Sequence, residues 1–243
     1  MPTYRARGCR PTLWIPLVGL DCVMPEVMDW DAAYRDEVFA GPPPWNIGET
    51  QPAIAELIRD GKIVGDVLDV GCGIGDVALD LASRGYRVVG IDVAAQAIAV
   101  AVKAAGERGL STATFVQGDI TSLTGYDKCF DTVLDCLLLH SLPVEARDDY
   151  LRWAHRAAKP GATMYVLVLT ADALPADSPF PVPNLFSQKE LREIVDKYWK
   201  IDEIRPAFVH VKLPTIPDLP VPPYSVDDKG RAKLPASLVC LKW

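Results

Sequence analysis

The stretch VLDVGCGIGD at residues 67 to 76 decides the fold of this chain. It joins an apolar run to a turn with glycines at positions 71, 73 and 75, and the residue that follows them is an acid. A buried strand followed by a glycine-rich turn and a helix is typical of the first unit of an α/β protein that binds a nucleotide or a nucleoside. Several classes of protein use such a turn, so the surrounding residues must distinguish between them.

Strands and helices alternate along the chain after this turn. Apolar runs predict strands at residues 66 to 70, 87 to 92, 113 to 117, 130 to 139 and 162 to 170, and amphipathic segments predict helices at 76 to 85, 94 to 108 and 144 to 158. Two final strands are predicted within residues 198 to 213 and 236 to 243. Nearly continuous apolar strands that alternate with helices indicate a parallel sheet covered on both faces. The predicted fold class is therefore a doubly wound α/β sheet.

The 243 residues predict one domain at residues 29 to 243, preceded by an arm at residues 1 to 28. Residues 29 to 61 are expected to form an N-terminal helical cover, and residues 171 to 235 to supply loops and one helix on the substrate side. Thr50 is predicted to cap the helix that begins near Pro52, and Ser187 with Glu190 to form a capping box. The arm is interpreted as a loosely ordered extension. The alternative is a flap in which Trp14 contacts a ligand.

Charge and cysteine content exclude several classes of function. The formal net charge is −7 and the basic residues are dispersed, so nucleic acid is not expected as a partner. The six cysteines form no CxxC pair and have no histidine at zinc-ligand spacing, which predicts neither a metal site nor a disulfide framework and favours a cytoplasmic location. The short apolar run near the N-terminus is interrupted by Pro16, so no membrane insertion is expected. The oligomeric state is left open.

Asp76 narrows the choice of ligand. It occupies the position of the third glycine in the dinucleotide motif GxGxxG. An acid at a helix N-terminus opposes the binding of a pyrophosphate, which the helix dipole would otherwise attract. A P-loop is excluded because no GKS or GKT follows the turn. The remaining ligand has an adenosyl group and no phosphate, and S-adenosylmethionine meets that description.

Three further acids stand where such a ligand needs them. Asp92 ends the second predicted strand, where its carboxylate can accept both ribose hydroxyls. Asp119 follows the third strand, where a carboxylate can accept the exocyclic amine of adenine. Asp69 precedes the glycine turn and can face the ammonium group of the methionine part. These acids in this order predict a site for S-adenosylmethionine.

The motifs VLDVGCGIGD, VVGIDV, VQGDI, FDTVLDCLLLHSL and KPG resemble those of class I S-adenosylmethionine-dependent methyltransferases. PPPWNIGETQP, LHSLPVEARDDYL and KYWKIDEIRPA resemble, more narrowly, the mycobacterial heterocyclic toxin methyltransferases, which methylate hydroxyquinolinones and related nitrogen heterocycles. The thiopurine methyltransferases are more distant relatives.

This resemblance implies a seven-stranded Rossmann-like sheet whose last strand is antiparallel to its neighbours. Carried over by motif, the cofactor positions fall on Asp69, Gly71, Gly73, Asp92, Val93, Asp119, Ile120 and Asp135. The resemblance also implies that Trp45 covers the cofactor or the substrate. The alternative for Trp45 is a hydrophobic plug between the N-terminal helix and the sheet.

His140 is the candidate catalytic base, because it lies just past the fourth strand and histidine titrates near neutral pH. The alternative is that His140 and Ser141 cap the following helix. Six aromatic residues could stack on a planar substrate: Trp14, Trp30, Tyr34, Trp45, Phe180 and Phe186. Cys72 and Cys136 are expected near the pocket as small apolar fillers.

The expected function is methyl transfer from S-adenosylmethionine to a small planar hydroxylated or N-heterocyclic aromatic, in detoxification or modification of foreign compounds. One alternative is methylation of a phenol or a quinone precursor. The other is a protein that binds S-adenosylmethionine without catalysis.

Overall fold

The computed structural model describes residues 28 to 35, 41 to 174, 185 to 213 and 224 to 243. The predicted N-terminal arm lies almost entirely outside these residues, and so do Trp14 and Phe180. The predicted division of the chain into an arm and one domain therefore stays a prediction.

Seven strands form a single sheet. They are β1 (Val67–Val70), β2 (Val88–Asp92), β3 (Ala113–Gln117), β4 (Phe130–Cys136), β5 (Ala158–Leu169), β6 (Lys200–Val211) and β7 (Ala232–Lys242). Their order across the sheet is β3-β2-β1-β4-β5-β7-β6. The first five strands are parallel, and β7 is antiparallel to both β5 and β6. The predicted seven-stranded sheet with an antiparallel last strand is confirmed.

Helices cover both faces of this sheet. They are α1 (Trp30–Tyr34), α2 (Pro52–Arg59), α3 (Asp76–Ser83), α4 (Ala95–Glu107), α5 (Arg147–Ala157) and α6 (Gln188–Val195), with 3-10 turns at Leu139–Ser141 and Val144–Ala146. Alternate residues of β5 enter two separate cores: Met164 packs in the core that contains side chains of α5 and α6, and Tyr165 in the core that contains those of α2 and α3. The period of two along a strand produces this division. The doubly wound arrangement is thus confirmed.

Some element boundaries differ from the prediction. β4 ends at Cys136 rather than at residue 139, because Leu137 has a φ of 81° and leaves the strand conformation. Thr50 does not cap α2, since the N-cap is Gln51 and the Thr50 hydroxyl instead lies 3.2 Å from the Asp80 carboxylate. The capping box of Ser187 and Glu190 is confirmed.

Within the described parts of the chain, no helix combines the length and the apolar character needed to cross a bilayer.

Candidate functional site

A cavity of about 440 Å³ opens at the carboxyl edge of the parallel strands. Its polar end is formed by the residues that follow β1, β2 and β3, and its apolar end by side chains near the ends of β5, β6 and β7. Eight of the nine predicted cofactor positions line this cavity: Trp45, Asp69, Gly71, Gly73, Asp92, Val93, Asp119 and Ile120. His140 lines it as well. Ligands of open α/β sheets bind at this edge, as the position of the glycine turn predicted.

The glycine turn lies against Leu138 and Tyr34, which leave no room for side chains at Gly71 and Gly73. Gly71 and Gly73 have φ angles of 64° and 54°, in the left-handed region that L-residues other than glycine rarely adopt. A Cβ atom on Gly71 would lie 2.9 Å from the Cβ of Leu138, and one on Gly73 would lie 2.7 Å from the hydroxyl of Tyr34. The turn therefore brings bare backbone to the cavity.

Asp92 ties the turn to the next helix. Its Oδ2 accepts a hydrogen bond from the Gly73 N–H at 2.8 Å, and its Oδ1 accepts one from the Ala94 N–H at 2.9 Å. Burial raises the pKa of this carboxyl group, and the two backbone donors oppose that rise. Each carboxylate oxygen can accept a further hydrogen bond, so this geometry suits a ligand with two adjacent hydroxyls.

Asp69 is the acid whose environment is most unusual. Its side chain is 1% exposed, and its Oδ2 has no hydrogen-bond partner among the described residues. Burial, followed by the negative charge of Asp92, raises the pKa of Asp69 to about 8. A buried carboxyl oxygen without a hydrogen-bond partner is costly unless a ligand supplies the missing group. Because Asp69 lines the cavity, that group would be a cation or a hydrogen-bond donor.

Asp119 lies at the exposed rim of the same cavity. Its Oδ1 accepts hydrogen bonds from the Thr121 N–H and from the Thr121 hydroxyl, at 2.9 and 2.7 Å. These contacts fix the carboxylate close to the backbone after β3. The neighbouring Ile120 is buried and adds an apolar surface to the wall, and Val93, which follows β2, is half exposed and also lines the cavity.

Asp135 is the predicted cofactor position that does not line the cavity. Its carboxylate is fully buried and accepts hydrogen bonds from the N–H groups of Leu138 and Leu139 and from the Tyr150 hydroxyl, the last at 2.6 Å. These donors hold the turn after β4, which carries Leu138 and His140 into the cavity wall. Asp135 therefore supports the turn that lines the site, and the prediction that it contacts the donor stays a prediction.

His140 is held in a way that opposes the predicted role of a base. Its ring is 5% exposed, and its Nδ1 lies 3.4 Å from the Leu169 N–H, from which it accepts a hydrogen bond. A neutral imidazole that accepts at Nδ1 carries its proton on Nε2. Burial, followed by the charge of Arg147, lowers the pKa of His140 to about 3. The imidazole is therefore neutral near pH 7 and offers a donor.

The structure contradicts the alternative prediction that His140 and Ser141 cap the next helix. Helix α5 begins at Arg147 after the N-cap Ala146, and no side chain caps it. The Ser141 hydroxyl instead donates to the Leu137 carbonyl at 2.9 Å.

Three aromatic residues of the N-terminal segment cover the polar end of the cavity. The rings of Trp30 and Trp45 meet edge to face with centroids 6.0 Å apart, and the Trp45 Nε1–H points to the Tyr34 hydroxyl at 3.5 Å. All three side chains line the cavity. Trp45 thus packs against α1, which agrees with the alternative prediction of a hydrophobic plug, and it also lines the cavity. Phe186 lies elsewhere, under the Arg147 guanidinium.

Gln51 is a positioning residue that the sequence did not reveal. Its side-chain amide pairs with the backbone of His210 through two hydrogen bonds of 2.9 Å, and it also donates to the Trp45 carbonyl at 3.3 Å. This amide fastens the segment that carries Trp45 to strand β6. No local sequence signal could identify Gln51, because its partner lies 159 positions away along the chain.

The two cysteines of the cavity wall, Cys72 and Cys136, are partly exposed thiols. Burial raises the pKa of both Cys72 and Cys136 well above the usual value, so neither is a reactive thiolate near neutral pH. The described residues include no group of three or more His, Cys, Asp or Glu side chains that could hold a metal ion.

The fold and the cavity together define a class of protein. A doubly wound sheet with a glycine turn free of side chains, a carboxylate suited to a ribose and a buried acid with one unpaired oxygen is suited to an adenosyl cofactor with a cationic group.

The comparisons with known proteins identify the family. A family model described as a methyltransferase domain matches residues 67 to 161. The 2-heptyl-1-hydroxyquinolin-4(1H)-one methyltransferase of Mycobacteroides abscessus is 49% identical over 181 residues, which cover 73% of this chain and 79% of that protein. The chain belongs to the class I S-adenosylmethionine-dependent methyltransferases. It is an enzyme, and S-adenosylmethionine is its methyl donor.

Solved structures agree with this assignment. A protein studied for the conversion of a disulfide bond into a thioacetal group during echinomycin biosynthesis superposes with a TM-score of 0.75 at 33% identity, covering 88% of this chain and 90% of that one. The 1,6-didemethyltoxoflavin-N1-methyltransferase of Burkholderia thailandensis, solved with S-adenosylhomocysteine, superposes with a TM-score of 0.61 at 21% identity, covering 88% and 85%. At this lower identity the likeness is one of fold.

Proposed function

We propose that this enzyme methylates a small planar hydroxylated or N-heterocyclic aromatic of the hydroxyquinolinone kind. The observation that carries the proposal is the lining of the cavity, which combines predicted cofactor positions with His140 and with apolar side chains near the ends of β5, β6 and β7. The 49% identity to the hydroxyquinolinone methyltransferase of M. abscessus supports it. Detoxification of such compounds and a cytoplasmic location are parts of the same proposal.

The residues of the polar end bind and orient the donor. S-adenosylmethionine supplies an electrophilic methyl group on a sulfonium. Asp69 accepts from the ammonium group, Asp92 from the ribose hydroxyls and Asp119 from the adenine amine. The glycine turn lets the backbone approach closely, and Trp45 with Tyr34 excludes water from this end. Alignment of this kind is the main requirement of an in-line displacement.

On the acceptor side, the Nε2–H of His140 donates to an oxygen of the substrate and positions it. A neutral imidazole with a depressed pKa does not remove a proton efficiently near neutral pH. An acceptor hydroxyl that is already ionised at this pH needs no protein base. We therefore propose that the enzyme favours acidic hydroxyl groups as acceptors.

A mass-spectrometric screen tests the proposed function. The purified enzyme and S-adenosylmethionine are incubated with hydroxyquinolinones, simple phenols and thiols, and the mass gain of one methylation is measured. We expect methylation of the hydroxyquinolinones. Methylation of phenols or quinone precursors alone would favour the phenol alternative. Methylation of thiols alone would favour a sulfur acceptor, in line with the chemistry named for the echinomycin protein.

Substitution of His140 tests whether its imidazole acts as a hydrogen-bond donor or as a general base. We expect His140→Ala to lower kcat/KM for a hydroxyquinolinone about threefold to tenfold, the usual net value of one neutral hydrogen bond. His140→Gln keeps an N–H donor and should recover most of the loss. Because the imidazole stays neutral, the pH profile of kcat/KM from pH 6 to 9 should keep its shape in both variants. Loss of a limb with a pKa between 6 and 7 in His140→Gln would instead establish a base.

A further inference from the structure

The apolar end of the cavity contains none of the predicted cofactor positions. We propose that it binds an unbranched apolar substituent on the acceptor ring, and that Val209, Val211 and Leu234 set the length of that substituent. This inference rests on the proposed function, and it assigns residues to the selection of the acceptor. The name of the M. abscessus relative includes a heptyl group at position 2 of the acceptor ring, but it does not say which residues of the protein contact that group.

The apolar wall is built by strand pairing. Val209 of β6 stands opposite Leu234 of β7, and Val211 follows two positions later on the same face of β6. These three side chains belong to one hydrophobic core, and all three line the cavity. Leu169, at the end of the adjacent strand β5, extends the same wall. The wall is thus continuous across three neighbouring strands.

This wall is separated from the residues predicted to bind the donor by several strands of the sheet. In the order β1-β4-β5-β7-β6, strand β6 is four positions from β1, which carries Asp69. At roughly 4.8 Å per strand this separation is about 19 Å. His140 follows β4, next to β1, so a ring held at His140 leaves two to three strand widths of apolar wall, about 10 to 14 Å. A substituent on the ring would fill that length.

Two polar side chains of the cavity lining, Gln51 and Glu49, are already bonded within the protein. The amide of Gln51 pairs with the His210 backbone, and the Glu49 carboxylate accepts from Lys229 and Arg231. Among the described residues, no lysine or arginine lines the cavity. The wall therefore offers little to a charged or polar substituent and favours one that buries methylene groups.

The test compares two acceptors that differ only in chain length, 1-hydroxyquinolin-4-ones with methyl or with heptyl at position 2. For the wild-type enzyme we expect kcat/KM to be at least about tenfold higher for the heptyl compound, because burial of two methylene groups is worth about that factor. Leu234→Phe and Val209→Phe reduce the space at the apolar end of the cavity. In these variants the ratio of kcat/KM for the heptyl compound to kcat/KM for the methyl compound should fall at least about tenfold. Leu234→Ala enlarges that space and should move the preferred chain from heptyl towards nonyl.

Phe208→Trp is the matched control. Phe208 precedes Val209 on the opposite face of β6 and is 44% exposed, so this variant should keep the wild-type ratio. Calorimetry with S-adenosylhomocysteine shows whether each variant retains a folded cofactor site. If the two phenylalanine variants do not bind S-adenosylhomocysteine, the result for Leu234→Ala decides the test. Methylation of both compounds with equal kcat/KM by the wild-type enzyme would overturn this inference alone. An unchanged ratio in the folded wall variants would do the same. If neither compound is methylated, the proposed function fails and this inference fails with it.

Discussion

Asp69→Asn is expected to weaken the binding of S-adenosylhomocysteine about 100-fold. The product carries the same ammonium group as the donor, and the Oδ2 of Asp69 is the buried acceptor that has no partner in the described residues. A hydrogen bond between charged groups contributes up to about 3 kcal/mol, which corresponds to roughly a 100-fold change in affinity. Isothermal titration calorimetry at pH 8 measures this difference. An affinity within threefold of wild type would exclude Asp69 as the ammonium acceptor.

The same residue makes ligand affinity depend on pH. In the ligand-free protein the pKa of Asp69 is about 8, and the ammonium group favours the ionised form. Binding therefore releases a proton below pH 8, and affinity should fall by up to about tenfold for each unit from pH 8 to pH 6. In Asp69→Asn residue 69 releases no proton on binding, so the slope of log affinity against pH should decrease by one proton per site. An equal slope in the two proteins would contradict this linkage.

Stability provides the control for Asp69→Asn. A carboxyl group whose pKa is raised on folding binds more protons in the folded state, so its contribution to stability is present below the unfolded pKa near 4 and is lost as the pH rises towards 8. The substitution removes a buried carboxyl group that is about half ionised at pH 8. The ligand-free variant should thus unfold at a temperature no lower than that of the wild-type protein. A lower unfolding temperature would attribute the weaker binding to damage of the fold.

Gly71→Ala is expected to reduce both stability and cofactor affinity. The new side chain meets two penalties, a left-handed backbone at a φ of 64° and a Cβ atom 2.9 Å from the Cβ of Leu138. The first costs about 1 to 2 kcal/mol. The second moves the turn after β4, because a Cβ atom cannot rotate away from its own backbone. We expect S-adenosylhomocysteine affinity to fall at least about 100-fold, a change of roughly 2.7 kcal/mol.

Gly109→Ala is the matched control for this change. Gly109 has a φ of 65°, and a Cβ atom there would meet nothing within 4 Å. The control therefore carries the backbone penalty without the contact. Denaturant unfolding should show a loss of free energy about 1 to 3 kcal/mol larger for Gly71→Ala than for Gly109→Ala. Equal losses, with cofactor affinity retained in both variants, would show that Leu138 yields and that the turn tolerates a side chain.

Two strand-end acids show how far local pattern could predict this site. Asp69 and Asp135 both lie near the ends of central parallel strands, and the motif resemblance assigned both to the cofactor. The structure places Asp69 in the cavity wall and Asp135 beneath it, where three donors saturate its carboxylate. One of those donors, Tyr150, lies 15 positions away. A strand-end acid has the same sequence signature in both environments, so only the packed partners separate them.

The order of strands and helices, the glycine turn and the identity of the methyl donor can be predicted from the sequence alone. These features depend on short-range rules: apolar periodicity, φ angles open to glycine, and acids at fixed offsets from strand ends. The neutral state of His140, with its proton on Nε2, depends on a tertiary contact, because the Leu169 N–H that donates to its Nδ1 belongs to strand β5. The tertiary structure also determines where the apolar wall lies, because the antiparallel pairing of β6 with β7 brings Val209 and Leu234 together. Contacts between residues far apart in the chain have no local pattern, and the acceptor side of this enzyme is built from such contacts.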